Sequence, residues 1–318
     1  MTTAGAGGRW RSRAYETPAD LRLMQALCST CWRVDWPTPL AHPGDLDWWS
    51  RDATEGGLPL AERIGLWFDG EPDDSDLIAW GWFNLPSDVD LMIRPDRRDP
   101  ELVRSIVEWA TARAAAVVSD GLPVEAVQAF APDAQPAVVA GLRALGFEAV
   151  EGHTLAHLTR SFDGWHLPQA GLPDGFTVRT LASAADLESR VLCGRAAFPS
   201  SRMTVAKYEA ARRTTLYRPA LDWLVLDPGD RVVAFALGWL DPLTLAVELE
   251  PVGVHPDFQR RGLGRVACLA AIGAARALGA SHGLICAHGD NPAAIGLYQS
   301  LGYEITTWTR PYRRPLPN

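Results

Sequence analysis

The chain has 318 residues, of which 47% are hydrophobic and 21% charged, and its formal net charge at pH 7 is −8. This composition is typical of a globular protein and excludes a disordered or collagen-like chain. A single hydrophobic core usually stops growing at ~250 residues, so the length predicts two domains. The longest weakly polar run, residues 266–275, is too short for a membrane span, and residues 1–13 lack the apolar block of a secretory signal. We therefore expect a cytoplasmic protein that does not enter a membrane.

The charge is distributed unevenly along the chain. Residues 1–160 carry 24 acidic and 14 basic side chains, a net charge of −10, whereas residues 161–318 carry 14 and 16, a net charge of +2. The acidic first half argues against nucleic acid as a partner, because phosphate backbones bind positively charged surfaces. The second half can accept an anionic ligand.

The five cysteines do not indicate a disulfide framework, because their number is odd and their spacing irregular. Cys28 and Cys31 form a CxxC pair, but they share one helical face with Leu23 and Leu27. No second CxxC or nearby histidine pair completes a zinc set. We expect both thiols to pack in the core, with metal or redox use as the alternative, and we predict no metal site.

The predicted elements follow a similar order in the two halves of the chain. The first half gives a helix capped by Thr17, strands at residues 77–83 and 89–93, and a helix at 100–116. A second helix, which ends at residues 142–147, and a last strand at 154–158 follow. The second half gives a strand at 177–181, a helix at 184–198, strands at 223–226, 231–240 and 245–254, helices at 264–278 and 292–300, and a last strand at 304–309.

Matching landmarks in the two halves are separated by offsets close to half the chain length. The offsets are 157, 161 and 156 residues for three pairs: Trp82 with Trp239, Pro95 with Pro256, and Gly146 with Gly302. A constant offset over three landmarks predicts a duplicated α+β domain. Residues 163–175 are rich in glycine and proline, as in a linker. We predict a first domain over residues 1–162, this linker, and a second domain over residues 176–318.

Residues 247–265 contain the pattern that carries chemistry. A predicted strand ends near Val254, and Gly262 and Gly264 open the helix that follows. Backbone N–H groups at a helix N-terminus are unpaired and attract anions, and glycines let the backbone approach a diphosphate closely. Positive charge at the edges comes from three arginines, Arg260, Arg261 and Arg265. By itself the glycine pair is weak evidence, because a tight strand-to-helix turn has the same pattern.

This segment resembles the acetyl-CoA motif of the GNAT (Gcn5-related N-acetyltransferase) superfamily. The family pattern R/Q-x-x-G-x-G/A is matched at residues 259–264, Q-R-R-G-L-G, after the usual Val-x-Val-x-Pro strand end at residues 252–256. Residues 291–303 match a second family feature, the helix and turn that flank the thiol of the acyl donor. The resemblance implies two tandem α+β GNAT domains, each with a mixed, mostly antiparallel twisted sheet flanked by helices.

The resemblance also implies acetyl-CoA as the acyl donor. The residues it assigns to acetyl-CoA binding are Val252, Gly253, Val254, Gln259, Arg260, Arg261, Gly262, Leu263, Gly264, Arg265, Asn291 and Ala294.

Three side chains near this motif are candidates for proton transfer. An amine is mostly protonated at neutral pH, and a carboxylate can take its proton before attack. Glu248 and Glu250 alternate with apolar residues and face the same side of the strand. Glu248 stands where some GNAT enzymes place their base, and Glu250 is a possible second base or substrate contact. Tyr298 stands where the family carries the tyrosine that protonates the departing thiolate. The alternatives are solvated strand carboxylates and a core tyrosine.

The matching segment of the first half, residues 91–104, lacks the glycine pair. Asp99 is predicted to cap the helix there, Pro100 removes an N–H from its first turn, and Glu101 adds negative charge where a diphosphate would lie. We therefore predict that this half does not bind CoA and has a structural or substrate-shaping role.

Together these features predict an enzyme that transfers the acetyl group of acetyl-CoA to a primary amine of a small molecule, by direct attack in a ternary complex. A protein or peptide amine is an alternative acceptor. A cysteinyl amine is another, because tandem GNAT enzymes of about this length include ones that act on such an amine. Outside enzymes, an acyl-CoA sensor or scaffold stays open. In the first half, an acidic and aromatic group is a candidate border for a cationic or ring-bearing acceptor: Asp45, Asp47, Trp48 and Trp49.

Overall fold

The computed structural model describes residues 3–4, 10–38, 40–51, 58–70, 76–119 and 124–316. Its strands are β1 (Thr3–Ala4), β2 (Arg11–Ala14), β3 (Ile64–Phe68), β4 (Leu77–Asn84), β5 (Asp88–Ile93), β6 (Ala126–Pro132), β7 (Glu148–Ala149), β8 (Leu155–Ser161), β9 (Thr177–Thr180), β10 (Asp222–Leu226), β11 (Val232–Leu240), β12 (Ala246–Val254), β13 (His282–His288) and β14 (Glu304–Pro315). Its α-helices are α1 (Pro18–Asp35), α2 (Pro43–Ser50), α3 (Leu60–Arg63), α4 (Pro100–Ser119), α5 (Pro136–Ala144), α6 (Ala184–Ala197), α7 (Val205–Arg212), α8 (Leu263–Ala277) and α9 (Pro292–Ser300).

Side chains cap the first long helix of each half in the same way. The Thr17 hydroxyl caps α1, and the carboxylate of Asp20 accepts the backbone N–H of Thr17 at 3.1 Å. Ser183 and Asp186 form the equivalent capping box at α6. Both carboxylates also lie at the positive end of the helix dipole. An arginine of the preceding strand pairs with each carboxylate, Arg13 with Asp20 and Arg179 with Asp186.

One continuous sheet runs through both halves of the chain. Its hydrogen-bonded order is β1-β2-β3-β4-β5-β6-β14-β8-β13-β12-β11-β10-β9, with β7 beside β14. Two neighbouring pairs are parallel, β5 with β6 and β12 with β13, and the other pairs are antiparallel. The predicted α+β class, with a mixed and mostly antiparallel sheet, is confirmed.

The two halves exchange their last strands. β8 belongs to the first half of the sequence, yet it pairs with β13 over seven residues, from Ser161 opposite His282 to Leu155 opposite His288. β14 closes the second half and pairs with β6 of the first. The sequence interpretation gives each half a last strand but does not specify the partner of either one. Either sheet satisfies the side-chain alternation of these strands, so the pattern does not select the partner.

Helix α2 of the first half packs against the second half. Trp48 packs against Trp239 and Tyr208, with ring centroids 6.2 and 6.0 Å apart. A Cβ at Gly44 would lie 2.3 Å from the Cβ of Trp239, so only glycine allows α2 this close to β11. This packing brings the first turn of α2, which contains Asp45, next to β12.

A fragment that starts at residue 163 lacks β8, and we expect it not to unfold cooperatively. Removing β8 leaves the seven residues of β13 as an open edge and uncovers the core that Ala156 and Leu158 cover. Urea unfolding of residues 163–318 and of residues 154–318 measures the effect, and the longer fragment should have the sharper transition. Equal, cooperative transitions for both fragments would contradict the pairing of β8 with β13.

Candidate active site

Two adjoining cavities lie beside β12. The first, here the junction cavity, has a volume of about 570 Å³ and is lined by both halves of the chain. The second, here the loop cavity, has a volume of about 740 Å³ and is lined by the second half. Five residues line both cavities: Phe198, Val252, Asn291, Ala294 and Tyr298. The two cavities therefore meet at these side chains.

Strand β12 separates from β13 where the cavities meet. The two strands pair at only three positions, the last being Glu248 opposite Leu284. On its other side, the register of β12 with β11 shifts between Ala236 and Gly238. β13 therefore gives the backbone of residues 252–254 no ladder partner, and these residues line the loop cavity.

The glycine pair exposes the first turn of α8 to the loop cavity. Gly262 is the N-cap with a φ of 77°, and no side chain caps the helix. A Cβ at Gly264 would lie 3.0 Å from Val254 and 3.2 Å from Leu297. Arg260 also has a left-handed φ, 63°. The loop thus forms a concave set of backbone N–H donors that fits a diphosphate.

Eleven of the twelve residues predicted to bind the acyl donor line the loop cavity. The exception is Arg261, whose guanidinium lies 5.1 Å from the Phe258 ring centroid and donates to the carbonyl of Asp257 at 3.4 Å. Arg260 and Arg265 do line the cavity, and Arg265 also donates to the carbonyl of Ser300 at 2.9 Å. Positive charge at the cavity therefore comes from these two arginines.

Four carboxyl groups line the junction cavity: Asp45 on α2, Asp90 on β5, and Glu248 and Glu250 on β12. Burial raises the pKa of Asp45 to about 6 and the pKa of Asp90 and of Glu250 to about 7. Burial, together with the nearby charges of Asp45 and Glu250, raises the pKa of Glu248 well above its usual range. Burial in this cavity therefore favours the protonated form of all four carboxyl groups.

Asp90 is a site residue that the sequence interpretation missed. It lies opposite Trp82 in the β4–β5 ladder, as Glu248 lies opposite Trp239 in the β11–β12 ladder. The repeat offset of Trp82 and Trp239 is the signal that would have identified Asp90 as the counterpart of Glu248. Asn84 donates to one oxygen of Asp90 at 2.8 Å.

One carboxylate oxygen of Glu248 has no hydrogen-bond partner among the described residues. This atom, Oε2, lies 3.8 Å from Nδ1 of His42, and the Glu248 side chain is 3% exposed. The Nδ1 atom accepts the N–H of Gly44 at 3.0 Å, and Nε2 donates to the carbonyl of Ala246 at 3.2 Å. The His42 ring thus has no N–H left for Glu248, and burial lowers the pKa of His42 to about 4. The Oε2 atom is available to an N–H of a ligand.

Asp45 and Glu248 are in hydrogen-bonding contact across the two halves. Two carboxylates in contact repel each other when both are ionised, which favours a form of the pair that holds one proton between them. Asp45 is fixed by its Oδ2 atom, which accepts the backbone N–H of His42 at 2.9 Å. The first half of the chain thereby helps to set the proton affinity of Glu248.

Tyr298 lies on α9 where the two cavities meet and is 6% exposed. Burial raises its pKa well above the usual value, and nearby acidic groups, including the Cys268 thiol and Glu250, add to the rise. The hydroxyl therefore keeps its proton at neutral pH and can act as a donor at this position.

A cysteine and a histidine also line the junction cavity. The sulfur of Cys286 lies 3.5 Å from Nδ1 of His157, whose Nε2 lies 2.8 Å from the hydroxyl of Thr309. Burial raises the pKa of the Cys286 thiol and lowers the pKa of His157 to about 4. Both groups are neutral at pH 7, so the pair does not have the thiolate form of a nucleophilic cysteine.

The helix start that corresponds to that of α8 in the first half, the start of α4, is capped. Asp99 caps α4, and its Oδ1 accepts the N–H groups of Glu101 at 3.0 Å and Leu102 at 2.9 Å. The β4–β5 ladder continues without a register shift. A capped helix start with a carboxylate is a poor phosphate site.

Two other predicted features can be placed. Cys28 and Cys31 are both buried in the core of the first half. In the described part of the chain, no group of three or more His, Cys, Asp or Glu residues is arranged to hold a metal ion. None of the described helices combines the length and the apolarity needed to span a bilayer.

Comparison with known proteins identifies the class of enzyme. Residues 188–303 match the model of the acetyltransferase (GNAT) family. The mycothiol acetyltransferase of Nocardia farcinica (strain IFM 10152) is 31% identical over 275 residues, which cover 79% of this chain and 86% of that protein. The mycothiol acetyltransferase of Thermobispora bispora is 27% identical over 318 residues, 96% of this chain and 99% of that one. The chain belongs to the GNAT family and is an acetyltransferase.

Solved structures share the fold along the whole chain. A GCN5-related N-acetyltransferase from Sphaerobacter thermophilus superposes with a TM-score of 0.68 at 18% identity, covering 99% of this chain and 98% of that one. A tandem GNAT protein from the clavulanic acid biosynthesis pathway has a TM-score of 0.66 at 11% identity, covering 97% and 99%. The tandem GNAT arrangement that the family resemblance implies is therefore confirmed.

Proposed function

We propose that the protein transfers the acetyl group of acetyl-CoA to a primary amine of a small molecule, by direct attack of the amine on the thioester. GNAT acetyltransferases use acetyl-CoA, which supplies the acetyl group in activated form. The observation that carries the proposal is the meeting of the two cavities at Tyr298, with the unpartnered oxygen of Glu248 on the junction side. Donor and acceptor can therefore be bound together in one ternary complex.

The loop cavity is the donor site in this proposal. The first-turn N–H groups of α8, with Arg260 and Arg265 at the edge, hold the diphosphate. The edge of residues 252–254 that β13 leaves unpaired holds the amide groups of the pantetheine arm. No side chain caps the start of α8, so its first N–H groups can bind a phosphate.

The junction cavity is the acceptor site, and its side chains handle the protons. Glu248 takes a proton from the incoming ammonium, and the freed amine forms the new C–N bond as the C–S bond breaks. Tyr298 donates its hydroxyl proton to the departing sulfur, and the second proton that the nitrogen releases as the amide forms restores the Tyr298 hydroxyl. Glu250 lines the same cavity and either contacts the acceptor or serves as a second base. No acyl-enzyme is needed, which agrees with the neutral state of Cys286.

The size and lining of the junction cavity favour a small acceptor. Its volume of about 570 Å³ is in the range of small-molecule sites, and both halves of the chain wall it. Trp48 and Trp49 line it together with the four carboxyl groups, a combination that favours a cation carried on an apolar or ring-bearing body. A protein amine would need an open groove instead.

A cysteinyl amine is the second candidate acceptor. The curated relatives are mycothiol acetyltransferases, and the tandem arrangement resembles that of mycothiol synthase, which acetylates such an amine. A sensor or scaffold role has less support, because a protein that only binds acyl-CoA does not require proton-transfer groups such as Glu248 and Tyr298.

Turnover with a panel of acceptors tests the proposal. Small primary amines, amino sugars, a cysteinyl amide and lysine-containing peptides are offered with acetyl-CoA, and acetylated products are identified by mass spectrometry. We expect small amines to be acetylated and peptides to be poor acceptors. Efficient acetylation of peptides alone, or hydrolysis without any acetylated amine, would contradict the proposal.

Asp45→Asn is expected to move the pH dependence of the reaction to lower pH. The substitution removes a negative charge that raises the pKa of Glu248, so that pKa falls. Glu248 acts in its ionised form, and the acid limb of kcat/KM therefore moves down by about one pH unit. Profiles of kcat/KM between pH 5 and 9 measure this shift. Asp47→Asn, on the same helix but outside the cavity lining, should leave the limb in place. If the acid limb of the Asp45→Asn profile stays at the same pH or moves to higher pH, Asp45 and Glu248 do not share a proton.

A further inference from the structure

Arg190 is a buried cation with unused hydrogen-bond donors. It lies on α6 and is 2% exposed, and its Nε and Nη2 atoms have no hydrogen-bond partner among the described residues. Its guanidinium is stacked on Phe235, with Cζ 3.2 Å from the ring centroid, and lies 5.1 Å from that of Tyr208. Stacking holds the plane of the group but gives its N–H bonds no acceptor. A buried N–H without an acceptor destabilises the fold, so such a group calls for a ligand.

Arg190 lines the junction cavity. Gly194, one turn further along α6, lines it too, and a Cβ at Gly194 would lie 2.8 Å from Nη1 of Arg190. The glycine thus leaves room at the guanidinium that a side chain would take. The charge of Arg190 acts on the buried carboxylate of Asp222, but that carboxylate accepts hydrogen bonds from the hydroxyls of Tyr208 and Tyr217 and leaves Nε and Nη2 of Arg190 unpartnered.

The position of Arg190 within the cavity indicates which part of a ligand it meets. Its charge acts on Glu250, which is two residues from Glu248 on the same face of β12. Phe198 and Val252, which line both cavities, also line the junction cavity with Arg190. The Phe235 ring beneath the guanidinium also lies against β12, because a Cβ at Gly253 would meet that ring at 2.3 Å. Arg190 therefore borders the part of β12 that follows Glu248 and Glu250.

A guanidinium has only donors, arranged in a planar fork that matches the oxygens of a carboxylate or a carbonyl. An oxygen next to the acceptor amine would satisfy the donors of Arg190 while the ammonium meets Glu248. Simple alkylamines have no such oxygen. The arrangement fits an α-amino acid or an aminoacyl amide, in which amine and oxygen are separated by two carbons.

We propose that Arg190 binds a carbonyl or carboxylate oxygen adjacent to the amine of the acceptor, and so selects aminoacyl compounds over plain amines. This inference rests on the proposed N-acetyltransferase function. It assigns to Arg190 a specificity role that acts on the acceptor and not on acetyl-CoA.

Three amines with one carbon skeleton test the inference: isopropylamine, alaninamide and alanine. The readout is kcat/KM for each, and the ratio of alaninamide or alanine to isopropylamine is compared between wild type and Arg190→Met. The three amines differ in basicity, but that difference is the same for both proteins and cancels in the comparison. We expect Arg190→Met to lower the ratio by about 100-fold, since buried donors lose their partner. If the oxygen is a carboxylate, the alanine ratio falls more than the alaninamide ratio.

Two further variants make the test specific. Arg190→Lys keeps the charge but not the fork, and we expect a ratio between those of the wild type and Arg190→Met. Arg195→Met changes an exposed arginine on the same helix and should keep the wild-type ratio. Acetyl-CoA titration calorimetry checks that each variant keeps its donor site.

The inference is overturned if Arg190→Met lowers all three rates equally, or changes none of them, while the wild type acetylates these amines. If the wild type acetylates none of the three but still binds acetyl-CoA, both the inference and the proposed function are wrong. The two failures are therefore distinguishable.

Discussion

The variant Gly262→Asp with Gly264→Asp should not bind acetyl-CoA at any concentration accessible to titration calorimetry. Each aspartate brings negative charge to the first turn of α8, where the uncapped N–H groups lie. The new carboxylates satisfy these donors and repel the phosphates. The Cβ at Gly264 also meets Val254 and Leu297 at 3.0 and 3.2 Å, which narrows the cavity.

Single substitutions separate charge from crowding in this experiment. A Cβ at Gly262 meets no atom within 4 Å, so Gly262→Asp adds charge and the strain of a side chain at a φ of 77°, but no crowding, and we expect at least about 100-fold weaker binding. Gly171→Asp, at another open position far from the motif in sequence, is the control and should bind acetyl-CoA as the wild type does. Wild-type affinity in the double variant would exclude the loop cavity as the donor site.

Glu248→Gln should reduce kcat by about 10²–10⁴-fold, since the amine loses its proton acceptor. The glutamine has nearly the same shape, so acetyl-CoA binding should be kept. The acid limb of the pH profile should also disappear, because the group that titrates is gone. Glu250→Gln is the matched comparison on the same strand face, and a smaller loss is expected there if Glu250 only contacts the acceptor.

Tyr298→Phe removes the hydroxyl between the two cavities and should reduce kcat by about 10²-fold. The ring is kept, so the packing of α9 and the acetyl-CoA affinity should change little. Full turnover in both Glu248→Gln and Tyr298→Phe would contradict the proton-transfer mechanism.

The glycine motif and the duplicated fold could be predicted because both are local or periodic features of the sequence. A glycine pair after a strand and before a helix specifies the backbone conformation within a few residues, and the N-cap of α8 lies at Gly262. The capping residues Thr17 and Ser183 likewise specify helix starts through contacts within three residues. The constant offset between the halves likewise predicts that the fold is duplicated.

The composition of the junction cavity could be predicted only in part, because it depends on contacts between distant parts of the chain. Asp45 reaches Glu248 because Gly44 lets α2 pack closely on Trp239, and no local pattern encodes that contact. Arg190 looks like one of many helix arginines until its burial and its unpartnered atoms are known. The exchange of β8 and β14 was missed for the same reason, since strand patterns do not specify partners.

The stoichiometry of acetyl-CoA binding tests the central claim most directly, namely that two copies of one fold share a single donor site and one acceptor cavity. The uncapped start of α8 and the Asp99-capped start of α4 predict that wild-type protein binds one acetyl-CoA per chain in titration calorimetry. Two acetyl-CoA molecules per chain would contradict the account.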